Sequence, residues 1–285
     1  MQLDPSAVEA GVRLIALDEI PSTNKKARSH ALRDRPVWVT AATQTRGRGR
    51  HGRRWISPKG NLYASLALVD PASVERAPEL AFVTALALRD AVIAEAPALT
   101  PKLAFKWPND LLLADKKCAG ILIEGEVQRD HSGHVGDPIV VIGIGVNCGS
   151  HPHKYDLALS ENREKPPYPA TDLRAHGADI TPETLFQRLS ATMCRRVAQW
   201  NRGNGFAAIL GEWVTCVRGI GEQVTVFKGV DSGLGGGRVG RFLGLDQSGR
   251  LLLELPSGEI EKISAGDVFL FNLRDQARTV PSEPG

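Results

Sequence analysis

The chain has little of what would place it in a membrane, among disulfide-stapled secreted proteins or among zinc proteins. Its four cysteines, Cys118, Cys148, Cys194 and Cys216, are widely spaced and include no C-x-x-C pair. That removes the common zinc and dithiol spacings and points to a reduced, cytoplasmic setting. No run approaches the roughly 18 apolar residues of a spanning helix. The first twenty residues include Asp4, Pro5, Glu9 and Arg13 and have no continuous apolar stretch of a signal peptide. Net charge is only +3 over 285 residues and aromatics are 6 %, too mild and too sparse for a chain that tracks nucleic acid along its surface. His131/His134 and His151/His153 lie in Gly-, Pro-, Ser- and Asp-rich stretches with no third ligand pattern. They read as surface histidines, and no protein-held metal is expected.

The length allows one large domain and a smaller one. Residues 14–17 read as a short strand, and a helix follows over 25–33 with Ser22 or Thr23 as its N-cap. VWVTAAT (37–43) and LYASLALV (62–69) read as strands, 79–95 as a buried-faced helix, and 103–107, 111–113, 119–126 and 139–146 as further strands. Thr181 followed by Pro182 opens a helix to about residue 200, and another spans 205–216. Strands interrupted by helices predict an α/β (α+β) domain over residues 1–218. Within it, residues 149–181, stiffest at Lys165-Pro166-Pro167-Tyr168-Pro169, form an insertion or mobile flap. From residue 219 the texture changes to short β runs at 223–227, 237–245, 251–255, 259–264 and 268–271. These predict a small barrel over 219–273, with the glycines of 233–237 as a barrel loop and 274–285 as a flexible tail.

Against this background one segment stands out. Five arginines and three glycines fall within residues 46–54, flanked by strands, with Gln44 and Thr45 before them and Trp55 after. Glycines let backbone amides turn inward while guanidinium groups supply forked, permanent cations, so such a loop can cage a phosphate or carboxylate. A solvated arginine face and an RNA-binding tract are the alternatives. Gly47, Gly49 and Gly52 also satisfy G-x-G-x-x-G, but Pro58 and Gly60 fall where a dinucleotide-binding helix should run, so that reading is rejected. A second unusual stretch is Lys106-Trp107-Pro108-Asn109-Asp110, followed by Lys117-Cys118-Ala119-Gly120-Ile121-Leu122-Ile123-Glu124. Pro108 breaks the strand and leaves Asn109 and Asp110 at an irregular turn. Alone, Asn-Asp is a turn and Lys116-Lys117 a solvated hairpin tip.

In order, Ser22-Thr23-Asn24, Gln44-Thr45-x-Gly47-Arg48-Gly49-Arg50-x-Gly52-Arg53-x-Trp55, Lys106-Trp107-Pro108-Asn109-Asp110, Lys117-x-x-Gly120-Ile121-Leu122-x-Glu124 and Gly143-x-Gly145-x-Asn147 resemble the biotin protein ligases. The likeness is strong over about 14–147, loose over the later helices and one of texture in the barrel. His51 stands where many relatives have arginine, and Ala42 where an acidic residue is often found. The resemblance implies a mixed-sheet biotin/lipoyl ligase-type domain followed by a small SH3-like barrel, and a form without the winged-helix repressor domain.

It further implies that biotin and ATP, with Mg²⁺, give biotinyl-5′-AMP, from which biotin passes to a lysine of a biotin carboxyl carrier protein of acetyl-CoA carboxylase or another biotin-dependent carboxylase. Neither specific DNA nor a membrane is an expected partner, and the protein is expected as a monomer or homodimer. Carried over residue by residue, Lys117, Arg50 and Asp110 are catalytic. Ser22, Thr23, Asn24, Gln44, Arg48, Gly49, Arg50, Lys117, Gly120 and Gly143 bind biotin, and Arg48, Trp55, Asn109, Ile121 and Asn147 bind the adenylate. Gly120, Gly143 and Gly145 would let the ligand approach the backbone. The alternatives are a lipoate or octanoate ligase or transferase of similar core fold and a nucleic-acid-binding protein using the Arg-Gly loop.

Overall fold

A computed structural model of the chain describes residues 1–32, 35–129, 135–152, 169–227 and 237–270. Two compact units are formed, one from Met1–Phe105 with Asn109–Cys216, the other from Lys106–Pro108 with the chain from Val217 onward. The tripeptide Lys106–Pro108 thus groups with the second unit, although the sequence reading gives it to the first.

The first unit opens with a short helix absent from the sequence reading, α1 (Pro5–Glu9), whose N-cap Asp4 accepts from Ser6 N at 3.0 Å. One turn is too short to show apolar periodicity, although cap plus proline is the same signal that marks residues 181–182. There follow β1 (Arg13–Ile20), α2 (Thr23–Ser29), β2 (Val37–Gln44), β3 (Leu62–Val69), α3 (Glu79–Glu95), β4 (Leu103–Lys106), β5 (Asp110–Leu113), β6 (Lys116–Arg129), β7 (Val135–Val146), α4 (Pro182–Trp200) and α5 (Phe206–Val214). The sheet order is β1-β2-β3-β7-β6-β5-β4. The β1–β2 pair is parallel, with α2 as the crossover, and the pairings from β2 through β3, β7 and β6 to β5 are antiparallel.

β3 is buried along almost its whole length because the sheet is covered on both faces. On one face Ala27 of α2 packs with Val37, Val39, Ala67 and Val141. On the other, Trp38 meets Phe186 of α4 edge-on at 5.5 Å. The helices of that layer are tied by Arg196, which is 8 % exposed and donates to Asp90 of α3 at 2.8 and 3.1 Å and to Glu212 of α5 at 2.6 Å twice. Both carboxylates hold the guanidinium pKa above its usual range, with the Glu212 hydrogen bond contributing most. No helix among the described residues is long and apolar enough to cross a membrane.

The second unit is an antiparallel sheet of β8 (Gln223–Phe227), β9 (Arg238–Leu245), β10 (Leu251–Glu254), β11 (Ile260–Ile263) and β12 (Asp267–Leu270), in the order β11-β10-β9-β8-β12. Alternate positions such as Val224, Val226, Phe242, Leu251, Leu253 and Ile263 form its core. The Trp107 indole joins that unit by donating to Gly249 O at 2.9 Å. This mixed α/β fold with a separate antiparallel sheet matches the class expected from the sequence. Residues 153–168, including the stiff proline run up to Tyr168, together with His131, His134, residues 233–236 of the glycine loop and the tail 274–285, lie outside the described residues.

Two thiols make a pH prediction. Burial pushes the Cys118 thiol far up and the Cys148 thiol up to about 12. The folded state therefore favours the protonated thiols, so their contribution to stability is complete below the unfolded-state pKa of roughly 8.5 and is lost as pH rises towards the folded values. Each thiol should remove up to about 1.4 kcal/mol per pH unit in that window. Thermal melts between pH 7 and 11 should fall above pH 9, and less steeply in Cys148→Ala; equal slopes would refute the assignment.

Candidate functional site

Directly opposed residues on neighbouring strands share a face. The pairings Ser65↔Gly143↔Leu122 and Tyr63↔Gly145↔Gly120 are therefore adjacent rows of one face, about 7 Å apart along the strands. Glu124, opposite Val141, lies one row further on. By simple alternation Lys117, three residues before Gly120, would point away from this face. It does not, because the β5–β6 register slips by one residue. Leu111 is opposite Ala119 but Leu112 is opposite Lys117, which leaves Cys118 as the extra residue of a β-bulge. The bulge turns Lys117 onto the face of Asp110 and Gly120. Its Nζ lies 2.7 Å from Asp110 Oδ1, a carboxylate that is nearly buried, and 5.5 Å above the Trp55 ring.

The other end of the face, where it meets α2, is built from amides and hydroxyls that lead to a charged cluster at Glu124. Gln44 Oε1 accepts from Thr23 N at 2.9 Å and lies 3.1 Å from Thr23 Oγ1. Ser65 Oγ lies 2.7 Å from Thr23 Oγ1 and 2.6 Å from Asn24 Oδ1. Asn24 Nδ2 donates to Glu124 Oε2 at 2.7 Å, which fixes the amide orientation, since a carboxylate can only accept. Ser65 Oγ donates towards both Asn24 Oδ1 and Thr23 Oγ1, and Thr23 Oγ1 donates to Gln44 Oε1. The result is a polar relay linking Gln44, Thr23, Ser65, Asn24 and Glu124, the last of which also faces Arg28 and Arg48 at 3.7 and 3.5 Å.

Above the face lies the arginine loop. Trp55 N bonds Gly47 O, Gly49 N bonds Arg53 O, and Arg48 stands opposite Arg54, so the loop is a narrow hairpin. Its tip is a three-residue turn at Arg50–Gly52 in which His51 and Gly52 are left-handed, with φ of 55° and 73°. No helix opens there, in keeping with rejection of the dinucleotide reading. A side chain at Gly47 would stand 2.5 Å from Trp55 O. Arg50 donates to Asn109 Oδ1 at 3.1 Å, and Asn109 donates to Ile121 O at 2.7 Å.

Several of the residues expected at the site are engaged with the protein itself. Ser22 sits at the N-cap of α2, but its hydroxyl makes no cap bond; its carbonyl accepts from Lys26 N instead. Ile121 is buried and offers only backbone, which Asn109 takes up on both sides. Asn147, 3 % exposed, donates its side-chain amide to Thr171 O at 2.9 Å. The space over the glycines is filled by protein. A Cβ on Gly143 would lie 2.3 Å from Asn24 Oδ1, and one on Gly145 or Gly120 would lie 2.6 or 3.1 Å from the Trp55 ring. Ser65 and Glu124 complete the relay but carry no expected role from the sequence; Glu124 closes the Lys117–Glu124 motif, while Ser65 is only a hydroxyl inside LYASLALV. A cleft of about 300 Å³ lined by Ala16, Asp18, Asn61 and Glu183 includes none of the residues named for the site.

The face carries amide and hydroxyl groups at one end, bounded by Glu124 with Arg28 and Arg48, and the cations Arg50 and Lys117 towards the other, an arrangement suited to an elongated ligand with a polar head and an anionic tail. Comparison with known proteins narrows this. The Biotin/lipoate A/B protein ligase family matches residues 16–147, and the Biotin protein ligase C terminal domain matches residues 219–270. The biotin--[acetyl-CoA-carboxylase] ligase of Paracoccus denitrificans is 37 % identical over 234 residues, covering 82 % of this chain and 90 % of its own. The bifunctional ligase/repressor BirA of Bacillus subtilis is 33 % identical over 264 residues, covering 91 % and 74 %. A biotin protein ligase from Aquifex aeolicus in complex with biotin and ATP shares the fold, with a TM-score of 0.67 at 24 % identity over 91 % of this chain and 98 % of that one. The chain belongs to the biotin protein ligase family.

Gly143→Ala should push Asn24 aside and break the relay at its centre. Calorimetric titration is expected to show biotin binding weakened at least about tenfold, the effect of losing one to two hydrogen bonds, with the far-ultraviolet spectrum unchanged. Wild-type affinity in this variant would show that the Asn24 arrangement does not serve the ligand.

Proposed function

We propose that the protein activates biotin with ATP to biotinyl-5′-AMP and transfers the biotinyl group to one lysine of a biotin carboxyl carrier protein. The observation that carries this is the polarity of the face: the Gln44–Thr23–Ser65–Asn24 end suits a ureido head, Leu122 and the glycine rows suit the apolar body, and the cations suit the carboxylate and phosphate. In the first step a biotin carboxylate oxygen attacks the α-phosphorus of ATP and the bond to pyrophosphate breaks. Two anions must meet, so Arg48, Arg50 and Lys117 offset their repulsion. A ligand laid over Gly120 and Gly145 takes the place of the Trp55 ring, which then walls the pocket near the adenylate. In the second step a lysine amine attacks the acyl carbon and AMP leaves. That amine, with a pKa near 10.4, must lose a proton, and Asp110 is the carboxylate suited to orient or receive it.

The donor set is cationic. Among the described residues no group of three or more His, Cys, Asp or Glu converges, and Asp110 is paired with Lys117, so the face offers anion ligands and no cage for Mg²⁺. Mg²⁺ would therefore come with the phosphates of ATP.

Incubation with biotin, MgATP and a carrier domain should add one biotinyl group to one lysine, read by mass spectrometry. Equal modification with lipoate or octanoate alone would favour the lipoyl-type alternative. Lys117→Ala should lower biotin-dependent ATP–pyrophosphate exchange by ~10²- to 10³-fold, because it removes one preorganised charge from the forming anionic centre. Unchanged exchange in the folded variant would reduce Lys117 to a hairpin lysine.

A further inference from the structure

We infer that His151 and Asp172 are positioning residues for Lys117, acting through the backbone of residues 169–172; the inference rests on the function proposed above.

The side chain of Lys117 is only as well placed as its backbone, and that backbone lies where regular pairing stops. The β6–β7 ladder ends at Ala119↔Val146, two residues short of Lys117. Residues 169–171 take over where β7 leaves off. Lys117 N donates to Pro169 O at 3.0 Å, Thr171 N donates to Lys117 O at 2.9 Å, and Ala170 lies opposite in a single parallel bridge. The same segment is bonded to the end of β7, through Asn147 Nδ2 to Thr171 O and Leu173 N to Asn147 O. A one-residue bridge beside a bulge has little ladder of its own to support it.

Asp172 anchors that segment. It is 5 % exposed, its Oδ1 accepts from Ala175 N at 2.7 Å, and its Oδ2 lies 2.5 Å from His151 Nδ1. His151 follows a stretch of chain fixed by Asn61, whose Oδ1 accepts from the amides of Cys148, Gly149 and Ser150 at 2.9, 3.0 and 3.2 Å. The His151–Asp172 contact thus clasps a firmly held stretch of chain to the strand that holds Lys117. A hydrogen bond to a carboxylate is among the stronger ones available, and here the carboxylate is buried while the imidazole is partly exposed. Without it, residues 169–172 lose an anchor, and the ammonium loses its fixed bearing on Asp110. Reaction rates are steep in such misplacement.

The test is biotin-dependent ATP–pyrophosphate exchange by the full chain carrying His151→Ala or Asp172→Ala, alone and combined with Lys117→Ala. His151→Ala keeps the Ala175 cap and should lower kcat by ~10-fold while leaving the KM for biotin within about twofold. In the Lys117→Ala background it should have no further effect, because the residue through which it acts is gone. His151→Gln, whose side-chain N–H can still donate to Asp172, should recover most of the rate and guards against loss of folding in the alanine variants. The same fold-loss in both backgrounds, or an effect on the KM for biotin in place of kcat, would overturn the inference. A wild-type protein with no exchange would remove the ligase reading itself; a working wild type with additive losses removes only the clasp.

Discussion

One extra residue in one strand decides the chemistry of the face. Without the bulge at Cys118, Lys117 would project to the opposite side of the sheet, away from Asp110 and Gly120. The bulge is tolerated because its backbone is satisfied, Cys118 O accepting from Asn147 N, and because its thiol is fully buried. It is also anchored from the β5 side. Leu113 and Lys116 are joined by the two-residue turn Ala114-Asp115, both left-handed, a turn whose twist suits adjacent strands. The register of a short hairpin therefore sets the direction of the cation, and the cation's direction sets where an anion can sit.

How far this could be read from the sequence depended on whether the signal was local. The long apolar runs were legible, since 62–69 and 79–95 coincide with β3 and α3, and the cap-proline pair at 181–182 marks the start of α4. Strand ends were less so. β1 and β6 run well past the predicted spans because tertiary pairing extends strands through polar residues that have no apolar pattern of their own. The bulge was not legible at all. Alternation puts Lys117 and Gly120 on opposite faces, and Ala114-Asp115 lacks the Asn-Gly signature that usually announces such a turn.

The site shows the same division. Motifs that follow one another along the chain, such as 22–24 and 46–55, were legible as sets, because glycine and arginine have few uses at that density. The relay was not, because it joins Thr23 and Asn24 to Ser65 and Glu124 across 41 and 100 positions. A serine in an apolar strand has no meaning until the residue above it is known. The same holds for Asp172 and His151, whose partnership exists only after the chain has turned back on itself.

The Trp55 ring lies directly over two glycines. On the ligand placement proposed above, entry is an exchange of one apolar occupant for another, and not the drying of an empty cleft. Part of the ligand's contact with the floor only replaces what the indole already made, so affinity must come mainly from the polar ends. Selectivity gains by the same arithmetic. A molecule that matches the apolar floor but not both ends recovers no more than the indole gives up, and the protein's own side chain outcompetes it.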